Sequence, residues 1–456
     1  MKAFLALSLL VSFIIFFTFV EFSFWESVSL AFSIYYLLSF LDNLGKKICV
    51  MDLAVIMASI TCLAVPVLFY HVYTRDNPLA RLWVKYMLVP SDEYFQFATP
   101  AVIALSTGLR LRLRKGTEAS RNPKIYIERV KKVLSEKSSL GLILIATGVV
   151  SGVLDFLTPK SLQQVFYLME HLTFVGVFYV IYSPNRYKRI IVPSVILLMI
   201  AQSLATGMFG DMIFMLGCAA VLILIGSEAS FLRKFLISIV GVYIILIIQS
   251  VKPDYRKKTW LENGESGADI PYYIQLVTDR IGNPSKMFDP DNSFYMATRM
   301  NQGWLVAMTM YKVPNQFDFA NGETIWQSVA AAIVPRFLWP DKPEAGGVAN
   351  IHRFWGWEIK GYSINIGPLG EAYANFDVLG GILFMFVYGF FFNFMLSQIL
   401  RMAEKRPTLI LWIPFLFFYA IGVETDLLTT MGSLVKGIIF TYVIFRAFRT
   451  AFRIDL

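Results

Sequence analysis

Apolar residues in this chain form long, nearly unbroken runs that are separated by short polar connections. Since a helix needs about 20 apolar residues to cross a bilayer, the pattern predicts twelve membrane spans. They are residues 3–20, 28–41, 50–70, 95–109, 140–157, 165–182, 190–208, 212–225, 235–249, 378–399, 408–422 and 428–445. The predicted fold class is an all-α polytopic membrane protein with about 12 transmembrane helices and one large, partly helical external loop.

The long connection sets the domain organisation. Residues 1–250 hold spans one to nine, residues 251–375 form the large loop, and residues 376–456 hold the last three spans. A structureless loop of that length is uncommon in a compact protein. Within it, residues 293–311 and 323–334 are predicted to be helices, and the second must end at Pro335, which cannot continue a helix.

Composition supports this class. The chain has 456 residues, of which 56% are hydrophobic and only 16% are charged. Cys49, Cys62 and Cys218 lie in or beside apolar runs, so the sequence predicts neither a disulfide framework nor a zinc site. The first apolar run follows a single Lys and precedes no small-residue cleavage site, which favours a retained first span over a signal peptide.

The net charge of +9 is distributed unevenly. Every second connection is basic, most strongly the stretch 110–137, as expected when basic loops stay in the cytoplasm. This places both termini in the cytoplasm and the 251–375 loop outside. Because the excess charge lies in short connections between spans, nucleic acid is not a predicted partner.

The external loop is rich in cations and in tryptophan, with six of the nine tryptophans. Arginine binds phosphate through paired hydrogen bonds, and aromatic rings pack against apolar faces of sugars and isoprene units. The predicted ligand is therefore an oligosaccharide linked to a lipid pyrophosphate. "VKPDYRKKTW" (251–260) places Arg256 and Lys258 at the membrane surface, where the alternative is simple contact with lipid headgroups.

The stretch "PRFLWPDKP" (335–343) combines three prolines with Arg336, Trp339 and Lys342. The prolines fix the backbone, so these side chains could stabilise a developing pyrophosphate without reorganising. The alternative is a structural turn with Trp339 in the interfacial aromatic belt. Further along, Glu371 in "GPLGEAYANF" (367–376) could accept a proton from a sugar hydroxyl, or only pair with an arginine.

Several motifs are missing. The sequence has no phosphate loop, dinucleotide fingerprint or zinc-protease motif, so no cofactor is predicted. "DPD" (289–291) resembles the acidic pair of metal-dependent glycosyltransferases, but ordinary turn chemistry explains it better, and no metal site is predicted. Glu170, His171 and Lys436 are ionisable residues inside spans, so they suggest either a proton path or pairing with each other, Asp155, Glu424 or Asp426.

Two motifs resemble a known family. "AAIVPRFLWPDKP" (331–343), followed by "GPLGEAYANFDVLGG" (367–381), is similar to the Wzy-type oligosaccharide repeat-unit polymerases, which build O-antigens and exopolysaccharides. In that family both elements lie in the large periplasmic loop before the last spans. The layout matches over the whole chain, and the motifs cover some thirty positions.

The resemblance implies a GT-C-like glycosyltransferase of the bacterial inner membrane that needs no metal. It would polymerise repeat units carried on undecaprenyl pyrophosphate, beside membrane lipids, a flippase and a chain-length regulator. Arg336 and Arg256 would bind pyrophosphate, and Glu371 would be the base. Relatives carry an arginine in a turn where this chain has "TGMFGDM" (206–212), with Asp211 and no cation, so that role shifts to loop arginines.

The remaining predicted substrate contacts come from the same loop. Arg299 and Arg353 supply the additional guanidinium groups, and Trp355 and Trp357 position sugar rings together with Trp339. Two other functions fit the sequence. One is a ligase that transfers finished polymer to another acceptor, and the other is a transporter or flippase that uses Glu170, His171 and Lys436 as coupling groups.

Overall fold

The computed structural model describes residues 2–111, 122–155, 159–207, 209–227, 229–262, 269–336, 338–360 and 362–451. These residues are 78% helical, with no β-strand among them. The helices are α1 (Lys2–Ile14), α2 (Phe24–Asn43), α3 (Asp52–Ala58), α4 (Val65–His71), α5 (Pro78–Leu82), α6 (Ser91–Arg110), α7 (Pro123–Glu136), α8 (Leu140–Asp155), α9 (Lys160–Glu170), α10 (Leu172–Tyr182), α11 (Lys188–Thr206), α12 (Gly210–Ile223), α13 (Phe231–Arg256), α14 (Ile270–Gly282), α15 (Pro290–Met300), α16 (Gln302–Lys312), α17 (Glu323–Ile333), α18 (Val348–Trp355), α19 (Gly367–Ala403), α20 (Ile413–Ile421) and α21 (Leu427–Ala451).

Among the described residues, seven helical segments are long and apolar enough to cross a membrane. They are Phe24–Asn43, Asp52–His71, Leu162–Tyr182, Lys188–Ala205, Phe231–Thr259, Gly367–Ala403 and Leu427–Thr450. A pair bent by 83°, Pro123–Glu136 and Leu140–Leu154, would make an eighth. The chain is thus a helical membrane protein. In the described residues each of the twelve predicted runs is mainly helical, but the number twelve stays a prediction because the other runs are shorter or less apolar.

The bundle is built around close contact between α6 and α19. A Cβ on Gly108 would lie 2.3 Å from the Phe386 carbonyl oxygen, and one on Gly389 would lie 2.4 Å from the Leu105 carbonyl oxygen. Small residues let two helix backbones approach in this way, which gains packing contacts that lipid cannot replace. The main core extends from here through α2, α10, α16 and α20.

α19 consists of two pieces. Asp377 has a φ of 60° and a ψ of −167°, so the helix breaks there. The piece before the break carries the "GPLGEAYANF" motif, and the piece after it coincides with the predicted span 378–399. Gly367 starts the first piece with a φ of +70°, and a Cβ there would lie 2.7 Å from the Val423 carbonyl oxygen. A glycine is required because both the conformation and the space exclude a side chain.

The described residues of the long connection include several helices, in keeping with the predicted partly helical loop. α17 ends just before Pro335, in agreement with the sequence. The predicted helix 293–311 is instead two helices, α15 and α16, which are divided at Asn301. The Asn301 side chain accepts a hydrogen bond from the Trp304 backbone N–H at 3.0 Å, so it caps the second helix.

Candidate functional site

A cleft of about 420 Å³ lies where the helices of the long connection meet the ends of the bundle helices. We call it the cleft. Its lining residues are Phe69, Lys85, Tyr295, Thr298, Arg299, Asn301, Gln302, Trp304, Leu305, Ser363, Ile364, Asn365, Glu424 and Thr425. They come from widely separated parts of the chain, so the cleft exists only in the folded protein.

One wall of the cleft pairs a lysine with a tryptophan. The Lys85 ammonium lies 3.4 Å from the centroid of the Trp304 ring, a cation–π contact. Burial lowers the pKa of Lys85 to about 8, because a charged amine loses hydration there. Trp304 is held in turn by Trp355, which packs edge-to-face at 6.1 Å. The cleft therefore holds a tryptophan that is 6% exposed beside an amine with a lowered pKa.

An arginine and a glutamate line another part of the cleft. Arg299, in the last turn of α15, and Glu424, in the turn between α20 and α21, are 3.6 Å apart. Their side chains are 55% and 30% exposed, so water screens the pair and it adds little stability. Both groups can consequently exchange partners with a ligand at small cost.

Two further cations, Lys252 and Arg256, are within electrostatic range of Arg299. Lys252, which is buried, is within electrostatic range of Arg256, Arg299 and Glu424. Arg256 donates to the Gly207 carbonyl oxygen at 2.9 Å and lies beside Tyr295 of the lining. Within the described part of the chain, Lys252 therefore interacts with two arginines and one carboxylate, and this excess of positive charge favours an anionic ligand.

The lining also carries unused hydrogen-bonding capacity. Thr298 Oγ1, Trp304 Nε1 and Asn365 Oδ1 are buried and find no partner among the described residues. Such atoms are rare in native proteins and are usually satisfied by water or ligand. Gln302 Nε2 donates to the Asn365 carbonyl oxygen at 2.9 Å, which fixes the segment 363–365 as the opposite wall. The site is therefore suited to a ligand with many polar groups.

Of the predicted cations, Arg299 lines the cleft and Arg256 adjoins it. Lys258 instead forms an ion pair with Asp269 at 2.8 Å and covers the Tyr272 ring at 3.9 Å. The hydrogen bond from Lys258 is the main cause of a lowered pKa at Asp269. Arg353 packs over the neighbouring ring of Phe354 and is not among the lining residues.

The predicted sugar-binding tryptophans lie outside the cleft. Trp355 is 1% exposed, and its indole N–H donates to Thr309 Oγ1 at 3.1 Å. It supports Trp304 from behind, so direct contact with a sugar is excluded in this arrangement. Trp357 is exposed and packs edge-to-face on Trp355 at 5.1 Å. The tryptophan that lines the cleft is Trp304, which is 6% exposed and which the sequence did not single out.

The proline-rich turn 335–343 is also separate from the cleft. Arg336 donates to the Pro340 carbonyl oxygen at 3.3 Å and is 3.9 Å from Glu344. Lys342 donates to the carbonyl oxygens of Ala331 and Val334, both at 2.8 Å. It therefore satisfies the C-terminal end of α17, and Trp339 is half-buried in the same turn.

Glu371 is fully buried and holds two elements together. Its Oε1 accepts a hydrogen bond from the Leu427 backbone N–H at 2.7 Å, at the start of α21. Asp426 lies beside it and accepts a hydrogen bond from the Gly347 backbone N–H at 2.8 Å. Because no Glu371 atom reaches the cleft, its position supports a structural role, and its action as a base stays a prediction.

The residues considered for transport have separate partners. Lys436 donates to Gln164 at 3.2 Å, and Glu170 accepts from Gln202 at 3.0 Å. His171 contacts the Tyr167 carbonyl oxygen of its own turn at 2.8 Å. The side chains of Asp155 and Asp211 lie outside the described residues. For "DPD", Asp289 accepts a hydrogen bond from the Asn292 N–H and caps α15, which is turn chemistry.

Sequence reasoning missed Lys85 and Trp304, and it considered Glu424 only as an ion-pair partner. Lys85 lies in the connection 72–90, whose aromatic and cationic "RLWVKYM" (81–87) resembles the composition of the long loop. Glu424 lies in "GVETD" (422–426) between two apolar runs. An acidic turn between two spans indicates a candidate site residue. The ion pair between Glu424 and Arg299 could not be predicted, because the two residues are far apart in the sequence.

Comparison with known proteins places the chain in a family. A family profile described as a domain of unknown function (DUF8712) matches residues 103–406, more than half of the chain. The chain belongs to the DUF8712 family. The DUF8712 region includes the cleft wall from Tyr295 to Asn365, whereas Lys85 and Glu424 lie outside its limits. No curated protein and no solved structure matches the chain.

Proposed function

We propose that this DUF8712 protein is a membrane glycosyltransferase that joins oligosaccharide repeat units carried on a lipid pyrophosphate. The observation that carries the proposal is the cleft, which brings cations, a tryptophan and one carboxylate to a single polar cavity. A lipid-linked glycan offers the matching groups: anionic phosphates, apolar sugar faces and many hydroxyls. The resemblance of the two loop motifs to the Wzy-type polymerases points to the same substrate class.

The cations would act on the leaving group. Arg299 and Lys85 line the cleft, with Lys252 and Arg256 adding positive potential behind them. A pyrophosphate gains negative charge as its bond to the sugar breaks, so fixed cations stabilise the transition state more than the ground state. The donor already carries its pyrophosphate leaving group, so the proposed reaction needs no nucleotide.

Glu424 is the carboxylate that lines the cleft, so we assign it the role predicted for Glu371. An acceptor hydroxyl attacks the anomeric carbon of the donor sugar, and its proton passes to the Glu424 carboxylate. The new glycosidic C–O bond forms as the C–O bond to pyrophosphate breaks. The electron pair leaves with the lipid pyrophosphate, whose charge Arg299 and Lys85 balance.

The proposed setting follows the sequence analysis: a bacterial inner membrane, with the cleft on the external face. A flippase would supply the lipid-linked repeat unit, and a chain-length regulator would act on the product. A GT-C-like arrangement and twelve spans belong to the same proposal.

Mass analysis of lipid-linked glycans from a deletion strain tests the reaction class. Loss of a polymerase leaves the final acceptor capped with a single repeat unit, whereas loss of a ligase leaves unattached polymer. Complementation with E424Q should leave the deletion phenotype unchanged. K360Q is the control, because Lys360 is 89% exposed and lies outside the cleft, so it should restore long chains. If E424Q restores the normal distribution of chain lengths, Glu424 is not the proposed base.

A further inference from the structure

The connection between α4 and α6 carries three consecutive large apolar side chains that are exposed. Leu82, Trp83 and Val84 are 72%, 65% and 50% exposed, and we call these three residues the apolar tip. They lie at the end of α5 and directly precede Lys85, which lines the cleft. A contiguous apolar surface outside the core normally marks contact with a partner or with a membrane.

The turn that presents the apolar tip is fixed by its backbone. The Lys85 N–H donates to the Ala80 carbonyl oxygen at 2.9 Å, and the Val84 N–H donates to the Arg81 carbonyl oxygen at 3.3 Å. These two hydrogen bonds end α5 in a Schellman motif, in which the first residue beyond the helix cap has a left-handed backbone conformation. In this chain that residue is Val84, with a φ of 51°.

Valine is unexpected at this position of the motif. Glycine is the usual residue, because a side chain, above all a β-branched one, is strained at positive φ. Packing inside the protein compensates for the strain only in part, since half of Val84 is exposed. A strained conformation at an exposed apolar residue therefore points to a role for that side chain outside the protein.

α5 is held at the depth of a membrane surface. The span Asp52–His71 has 20 residues, which at 1.5 Å per residue gives about 30 Å, the thickness of the hydrocarbon core. The Asn77 side chain donates to the Val72 carbonyl oxygen at 3.3 Å and accepts from the Leu79 N–H at 3.0 Å. Asn77 thus ties the start of α5 to the end of the span. Since α5 has five residues and is about 8 Å long, the apolar tip stays close to that surface.

The surroundings of the apolar tip have the composition of a membrane interface. Leu68 and Val72, four residues apart at the end of the span, are also exposed, so the apolar surface of the span continues toward the tip. Arg81 is exposed just before the two last tip residues, and Lys85 follows them. Tryptophan beside long cationic side chains is typical of the headgroup region, where rings and hydrocarbon stems meet lipid and the charged groups meet water and phosphate.

We propose that the apolar tip inserts into the headgroup region of the bilayer and holds the adjoining wall of the cleft at the membrane surface. Phe69 of the cleft, Ala80 of α5 and Phe294 of α15 share one small core, so the tip is packed against the elements that line the cleft. The consequence for the substrate rests on the proposed function: a lipid-linked donor would reach Lys85 and Arg299 without leaving the bilayer.

Depth-dependent fluorescence quenching of the full-length protein in vesicles tests this insertion. The variant W83C is labelled with a polarity-sensitive thiol probe, and the three native cysteines should not react because they are buried. The vesicles, of phosphatidylcholine and phosphatidylglycerol, carry a quencher either near the headgroup or near the end of the acyl chain. The labelled controls are V240C, within the span Phe231–Thr259, and K360C, whose native side chain is 89% exposed.

We expect the headgroup quencher to lower the emission of labelled W83C several-fold more than that of K360C. The chain-end quencher should act most strongly on V240C. Equal quenching of W83C and K360C would overturn the proposal. Crosslinking of W83C to a second copy, without quenching, would identify another chain as the occupant and would overturn it as well. If W83C does not fold, L82C provides the same test, because Leu82 is also exposed.

A kinetic measurement separates the insertion from the proposed function. L82S/W83S should raise KM for a lipid-linked repeat unit several-fold and leave kcat unchanged, because the polar tip holds the cleft less firmly against the lipid. Binding of soluble pyrophosphate should stay the same. An unchanged KM would overturn the link between the tip and the cleft. Quenching of W83C as expected, in a protein that extends no glycan, would support the insertion and contradict the proposed function.

Discussion

Replacement of Arg299 by glutamine separates the catalytic role of the cleft from its contribution to folding. The Arg299–Glu424 pair is 3.6 Å long and largely exposed, so its loss should cost at most about 1 kcal/mol of folding stability. A charge-assisted hydrogen bond to a phosphate contributes about 1.5–3 kcal/mol. Since about 1.4 kcal/mol corresponds to a factor of ten, R299Q should lower kcat/KM roughly 10-fold to 150-fold.

The assay is polymer formation by purified protein from a synthetic lipid-linked repeat unit, measured beside the melting temperature. R299Q should melt within a few degrees of the unaltered chain while its rate of chain extension falls. The matched variant K360Q also removes one exposed cation from a weak ion pair, of 3.9 Å with Glu358, and should change neither quantity. An R299Q protein that extends chains at the normal rate would refute the assignment of the cleft.

Variants at three other positions test separate parts of the structure. Anion binding in the cleft should weaken as the pH rises through about 8, where Lys85 loses its proton, and K85R should remove this pH dependence in a titration with pyrophosphate; an unchanged profile in K85R would exclude Lys85. E371Q should preserve chain extension, because its amide oxygen can still accept a hydrogen bond from the Leu427 N–H. E371A loses this hydrogen bond and should lower the free energy of unfolding by about 1–3 kcal/mol. An E371Q protein that is stable but inactive would support Glu371 as the base. G389L should prevent the approach of α19 to Leu105 and lower the yield of folded protein in size-exclusion chromatography, and a normal yield would contradict the close packing.

The helices could be predicted from the sequence because neighbouring residues along the chain largely determine where a helix forms and ends. Runs of apolar residues identify membrane helices, and Pro335 ended α17 as its missing N–H requires. The division at Asn301 was missed because the residues on both sides continue one helical pattern, while an asparagine side chain competes for the backbone N–H. The break at Asp377 coincides with the predicted start of the tenth span at 378, whereas the helical piece before it, residues 367–376, was not predicted.

The candidate site was only partly predictable. Residue chemistry identified Arg299 and Arg256, because arginine in a tryptophan-rich loop is a local signal. Lys85 and Glu424 approach Arg299 through contacts between distant segments, which one sequence does not record. Trp355 was selected for its type, but burial beneath Trp304 gives it a supporting position. Residue type therefore predicted the chemistry of the region better than the position of each side chain.

The most direct measurement incubates the purified protein in vesicles with a lipid-pyrophosphate-linked repeat unit alone and follows the products by mass spectrometry. The account predicts a ladder of glycans that grows by one repeat-unit mass at a time, with one lipid pyrophosphate released at each step. Repeat units that cross the bilayer unchanged, or that remain unextended beside an active positive control, would contradict it.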